Sequence, residues 1–169
     1  MNSYPLFSWI EATALSIWVR ESPSLWAFPF ILILHTVGMG FLVGTNVAID
    51  LRVLGFAPRV PMSLLERLFV VMKLAFLINA VSGLLLLIAY PTKALTNPLF
   101  YVKLFLIASA LVQTAWIRKN VLRAPESEQV VSSRGKAMAG ASLAVWAGAV
   151  AAGRFLAYTY THLLSGDWS

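Results

Sequence analysis

Four stretches of this chain, at about residues 26 to 49, 65 to 89, 98 to 117 and 137 to 160, are almost free of charge. A helix rises about 1.5 Å per residue, so about 20 residues cross the roughly 30 Å hydrocarbon layer of a bilayer. In hydrocarbon only a helix or a closed barrel satisfies its own backbone, and runs of this length exclude the short alternating strands of a barrel. The sequence therefore reads as all-α, an integral membrane four-helix bundle forming a single membrane domain over residues 1–169. Composition agrees: 59% of residues are hydrophobic, 12% are charged and the mean hydropathy is +0.78, far from the soluble average.

Ahead of the first span, residues 5 to 20 carry Trp9, Ile10, Ala14, Ile17 and Trp18 on one helical stripe, with Ser8, Glu11 and Ser16 off it. That pattern predicts an N-terminal interfacial amphipathic helix. The first residues lack a positive n-region, and Glu11 and Arg20 interrupt the apolar stretch, so a retained N-terminus is expected. Ser63 with Glu66 spells a capping box for the second span, and Asn97 with Pro98 an N-cap and first-turn proline for the third.

Lysine and arginine set the orientation. Arg52, Arg59 and Arg67 flank the first connection, and Arg118, Lys119, Arg123, Arg134 and Lys136 the third, whereas the opposite side holds Arg20 and Lys93. The positive-inside rule makes the basic side cytoplasmic, which predicts an N-out, C-out protein of a bacterial inner membrane. The same distribution accounts for the net charge of +6 without nucleic acid. The partners expected are the lipid bilayer and either further copies of the chain or a larger membrane complex.

Three basic residues remain inside the spans: Lys73, Lys103 and Arg154. A charge near the bilayer centre costs about 2.5–3.5 kcal/mol on insertion scales, so such placements ask for a purpose. Counted from the outer helix ends, Lys103 lies roughly 8 Å deep, Arg154 roughly 9 Å and His35 roughly 13 Å. Asn79, Ser82 and Gly83 fall nearby, whereas Lys73 belongs to the inner half. An imidazole with two cations nearer the surface suits haem b, His35 ligating iron and Lys103 and Arg154 meeting the propionates; it suits a quinone or another anionic head group equally. Gly38, one turn from His35, leaves room for a planar ring. His35 also reads as a hydrogen-bonding link between helices, and both cations as side chains snorkelling to the headgroups.

His162 lies too close to the C-terminus to share a haem level with His35, and is expected at the interface. Without cysteine there is no thiolate site, and no nucleophile elbow, phosphate loop or zinc-protease motif occurs. Small residues at Gly140, Ala144, Gly148 and Ala152, and a notch at Gly40 and Gly44, predict close helix packing.

His35 with Gly38, then Leu42, Gly44 and Thr45, then Asp50, Leu51, Arg52 and Gly55 form a pattern with Ser82 and Gly83. Asn97, Pro98, Phe100 and Lys103, followed by Gly153 and Arg154, complete it. The whole resembles a family of small four-span bacterial membrane proteins of unknown function. A looser similarity, in a first-span histidine and a third-span lysine, points to haem-binding membrane protoporphyrinogen oxidases and copper-resistance-type membrane domains. That likeness implies His35 as a haem ligand supported by Lys103 and Arg154. Arg52 departs from it by lying at the cytoplasmic end, and Leu32 stands where the four-span family often carries a glutamate. The function expected is a haem-binding protein with a redox or electron-transfer role. The alternatives are a non-catalytic accessory subunit and a small anion or solute transporter.

Overall fold

A computed structural model describes residues 5–122 and 131–165, the side chains of 157 and 160–165 excepted. Two short helices, α1 (Pro5–Glu11) and α2 (Ala14–Glu21), precede the long helices α3 (Phe28–Leu54) and α4 (Met62–Ala89). A single-turn helix α5 (Pro91–Leu95) leads into α6 (Pro98–Ile117), which runs on through a π-helical turn at Arg118–Leu122, and α7 (Ser133–Ser165) closes the chain. No strand occurs among the described residues. Of these helices, α3, α4, α6 with its π turn, and α7 are long and apolar enough to cross a membrane.

The amphipathic segment is two helices rather than one. Thr13 breaks it, adopting an extended backbone (φ −68°, ψ 147°) and accepting a hydrogen bond from Ser16 N as the N-cap of α2. The face turned to the bundle is Ser16 and Val19, both 0% exposed, with Ser16 Oγ donating to Ala89 O at 3.4 Å. Trp9, Ile17 and Trp18 are exposed. The apolar stripe thus faces away from the protein, as an interfacial helix requires.

The first span is longer than its composition predicts because the helix continues past Asp50 to a glycine stop. Gly55 takes the left-handed φ of 107° that a side chain resists, and Phe56 N donates to Leu51 O. Arg52 then folds back, Nε donating to Val60 O at 2.7 Å and Nη2 to Pro58 O at 3.1 Å, so the connection to α4 wraps around one guanidinium.

The capping box expected at Ser63 and Glu66 does not form. Helix α4 begins earlier, at Met62, with Pro61 at its N-cap and no side-chain cap. Glu66 instead pairs with Arg118 of the π turn, Arg118 Nε donating to its two oxygens at 3.0 and 3.2 Å while the guanidinium rests 4.6 Å from the Phe69 ring centroid. The signal at Asn97 holds: its side chain accepts from Leu99 N at 3.0 Å, Pro98 starts α6, and its amide donates to Thr159 Oγ1 of α7 at 2.9 Å.

Helices α3 and α4 pack as one antiparallel pair, α6 and α7 as a second, and α3 against α7 joins the pairs. Leu42, Ile49 and Val53 of α3, Phe69 and Met72 of α4, Ile117 of the third span and Trp146 of α7 fill the core between them. Large apolar side chains such as Val70, Leu77, Phe105 and Val112 point outward, the arrangement of a surface that meets hydrocarbon rather than water.

Small residues act more locally than their spacing predicts. A Cβ on Gly38 would stand 3.1 Å from Asn79 N and 3.2 Å from Ala75 O, so α3 meets the α4 backbone there. Gly148 packs against Leu106, but Gly40, Gly44 and Gly140 face open space. The Gly40 and Gly44 notch therefore packs nothing among the described residues of the chain.

Candidate functional site

The α3/α4 contact at Gly38 sets the geometry of His35, one turn earlier. The imidazole lies against Gly83, where a Cβ would come within 2.9 Å of its Cε1 and 3.3 Å of its Nδ1. His35 Nδ1 is 3.0 Å from Asn79 O and 3.2 Å from Ser82 Oγ. A backbone carbonyl can only accept, so this shorter contact puts a ring hydrogen on Nδ1, and the 3.4 Å approach of Asn79 Nδ2, itself a donor, is then no hydrogen bond. Ser82 is consistent with this sense, because its hydroxyl lies 2.6 Å from Ile78 O, and with its hydrogen there its oxygen is left to accept. Asn79 closes the loop by donating from Nδ2 to His35 O at 2.7 Å.

This pattern has a chemical consequence at the other nitrogen. In the neutral ring with its hydrogen on Nδ1, Nε2 keeps its lone pair, and Nε2 has no hydrogen-bond partner among the described residues. A neutral imidazole held through Nδ1 by a backbone carbonyl is the tautomer that ligates metals through Nε2. The same bonds also tie α3 to α4.

Lys103 of α6 is partly buried, its stem crossing Gly153 of α7 with Cε 3.5 Å from where a Cβ would stand. Arg154, expected beside it, is turned outward: the residue is exposed and its guanidinium lies 5.7 Å from the Tyr158 ring centroid. Helix α7 presents Gly153, not Arg154, to Lys103. The structure therefore brings together His35, Gly38, Asn79, Ser82 and Gly83, sets Lys103 against Gly153 of α7, and leaves Arg154 outside the group. Lys73 is also exposed on the outer face of α4.

An outward-open groove of about 250 Å³ between α3 and α4 is walled by Ile31, Leu34, Leu77, Val81 and Ser82, but His35 does not line it. Among the described residues no three His, Cys, Asp or Glu side chains gather as a metal cage. The His162 side chain lies outside the described residues, although α7 extends through its backbone.

A second polar cluster escaped the sequence reading. Asn46 of α3 donates from Nδ2 to Asp50 Oδ2 at 2.6 Å and to Ser142 Oγ of α7 at 3.0 Å, while Thr114 Oγ1 of α6 donates to Asn46 Oδ1 at 2.5 Å. All four residues are at most 4% exposed. Asp50 looked like the polar end of the first span, yet the helix runs one turn beyond it. The legible signal was the i, i+4 spacing of Asn46 and Asp50, on the same face as Leu42 and Val53. No family model, curated protein or solved structure matches the chain.

Proposed function

We propose that the chain is a multi-pass protein of a bacterial inner membrane, N-out and C-out, that binds haem b through His35 Nε2 and has a redox role at the outer half of the bilayer. The observation that carries this reading is the Nδ1 bond to Asn79 O, which fixes the ligating tautomer and leaves Nε2 uncommitted. Asn79 and Ser82 hold the ring, Gly83 leaves it room, and Lys103 offers a positive charge for a propionate. When bound, haem b would supply one-electron chemistry.

The fit is partial. One histidine supplies one axial ligand, Arg154 points away, and the groove beside Ser82 is separate from the imidazole. Protein purified from cells supplied with haem precursor, or reconstituted with hemin, is expected to show a Soret band that shifts on dithionite reduction and is lost in His35→Ala. A featureless spectrum in folded protein rejects the proposal.

A second reading draws on the reciprocity of the His35 and Asn79 bonds, which satisfy each other across two helices. It makes the chain a non-catalytic accessory subunit whose polar pair fixes helix register. That reading expects no visible spectrum and an intact complex in His35→Ala. Orientation is tested separately: the chain has no cysteine, so single cysteines at Arg59 and Lys93 can be labelled from either side of sealed vesicles.

A further inference from the structure

The Asp50 carboxyl is 0% exposed, yet no basic group among the described residues neutralises it. Its Oδ2 takes the hydrogen bond from Asn46, and its Oδ1 has no partner among the described residues. The charged groups on the helices packed around it are occupied or turned away. Glu66 of α4 and Arg118 beyond α6 are paired with each other, and Arg52 on α3 itself is committed to the carbonyls of Pro58 and Val60. Lys73 and Arg67 on α4, and Arg134 and Lys136 on α7, are exposed.

A bare carboxylate in such a place is costly, since neutral hydrogen bonds return little of what desolvating the charge takes. The cluster it belongs to is built of hard oxygen-bearing side chains from three spans: Asn46 turns Nδ2 to Asp50 Oδ2 and to Ser142 Oγ of α7, and its Oδ1 takes the hydrogen of Thr114 Oγ1 of α6. Oxygens of this kind suit small hard cations, not soft metals. The donors also arrive from both helix pairs, so whatever occupies the carboxyl sits where α3, α6 and α7 meet.

We propose that Asp50, with Asn46, Thr114 and Ser142, forms a binding site for one exchangeable monovalent cation, a proton or a sodium ion, that neutralises the carboxyl at Oδ1. A divalent cation is disfavoured because the cluster holds a single carboxylate and would keep a net positive charge. Exchange is directed to the basic end of the bundle, because Asp50 lies one turn, about 5.4 Å of rise, before the end of α3. The site is separate from His35 and independent of what binds there.

The test uses the full chain in lipid vesicles, with infrared difference spectra taken between wild type and Asp50→Asn in water and in deuterium oxide. In choline chloride, a carboxylic-acid carbonyl band that shifts in deuterium oxide and is missing from Asp50→Asn identifies a bound proton. Replacing choline by sodium at constant pH separates the two cations: an unchanged band means proton only, and conversion of the band to a carboxylate signal means that sodium competes. Sodium-23 binding that disappears in Asp50→Asn supports the sodium arm alone. A carboxylate signal from Asp50 in choline, insensitive to sodium, overturns the proposal. The Asn variant keeps the shape and removes the need for a cation, so it is expected to fold, and Asn46→Asp serves as a second variant that should change cation selectivity.

Discussion

His35 and Asn79 hold each other twice across the α3/α4 contact, the imidazole Nδ1 donating to Asn79 O at 3.0 Å and the Asn79 amide donating to His35 O at 2.7 Å. Only one of the two bonds depends on the asparagine side chain. Asn79→Ala is therefore expected to keep the ring in place and to cost about 0.6 kcal/mol, the average worth of such bonds in a bilayer. His35→Ala removes the ring itself and should cost more. Unfolding in mixed micelles gives both values, and an Asn79→Ala loss as large as that of His35→Ala contradicts this division.

The glycines give a sharper contrast. Gly38→Ala would put a methyl 3.1 Å from Asn79 N and 3.2 Å from Ala75 O, both backbone atoms of α4 that cannot swing aside. The helices must part, at a cost of about 1–3 kcal/mol by analogy with overpacked cores. Gly40→Ala meets open space and should be neutral, or stabilising by about 0.4–1 kcal/mol through the unfolded chain. Gly83→Ala presses on the imidazole and should tilt it off Asn79 O. Thermal melts of the three variants, followed by circular dichroism, would rank Gly38 worst and Gly40 harmless.

The sequence made the long helices legible because hydrophobic length in a bilayer leaves one economical solution. Asn97 and Pro98 were equally plain, since a cap and a first-turn proline act within four residues. What escaped it depended on rotation and on partners distant in the chain. Depth alone grouped Arg154 with His35 and Lys103, but depth says nothing about azimuth, and α7 turns Gly153 inward instead. Ser63 and Glu66 have the spacing of a capping box, yet Arg118, which lies 52 residues further on, offers Glu66 a stronger partner. Asp50 seemed to end a span because it is charged; its burial becomes visible only with Asn46, Thr114 and Ser142 assembled around it.

The Glu66 and Arg118 pair joins α4 to the π turn at the basic end of the bundle, with side chains about a quarter to a third exposed (32% and 26%). At that exposure solvent screens most of the attraction. A double-mutant cycle with Glu66→Gln and Arg118→Gln should return a coupling of about 0.2–1 kcal/mol that shrinks in high salt. Strictly additive effects would show that the pair is incidental and that the stacking of Arg118 on Phe69 does the fastening.

Asn97 combines two jobs that substitutions can separate. Its Oδ1 caps α6 by accepting from Leu99 N, and its Nδ2 donates to Thr159 Oγ1, tying the start of α6 to α7. Asn97→Ala removes both and should destabilise the protein by about 0.5–2 kcal/mol, the range for a lost N-cap. Asn97→Asp keeps an accepting oxygen for Leu99 N and loses only the donation to Thr159, so it should recover most of that loss. Thr159→Val in the Asn97→Asp background should then cost only what the Thr159 hydroxyl still donates, its bond to Phe155 O at 3.0 Å within α7, because the bond from Asn97 is already gone. If Asn97→Asp unfolds as readily as Asn97→Ala, the link to α7 outweighs the cap, and the stability of the α6/α7 pair rests on that side-chain bridge.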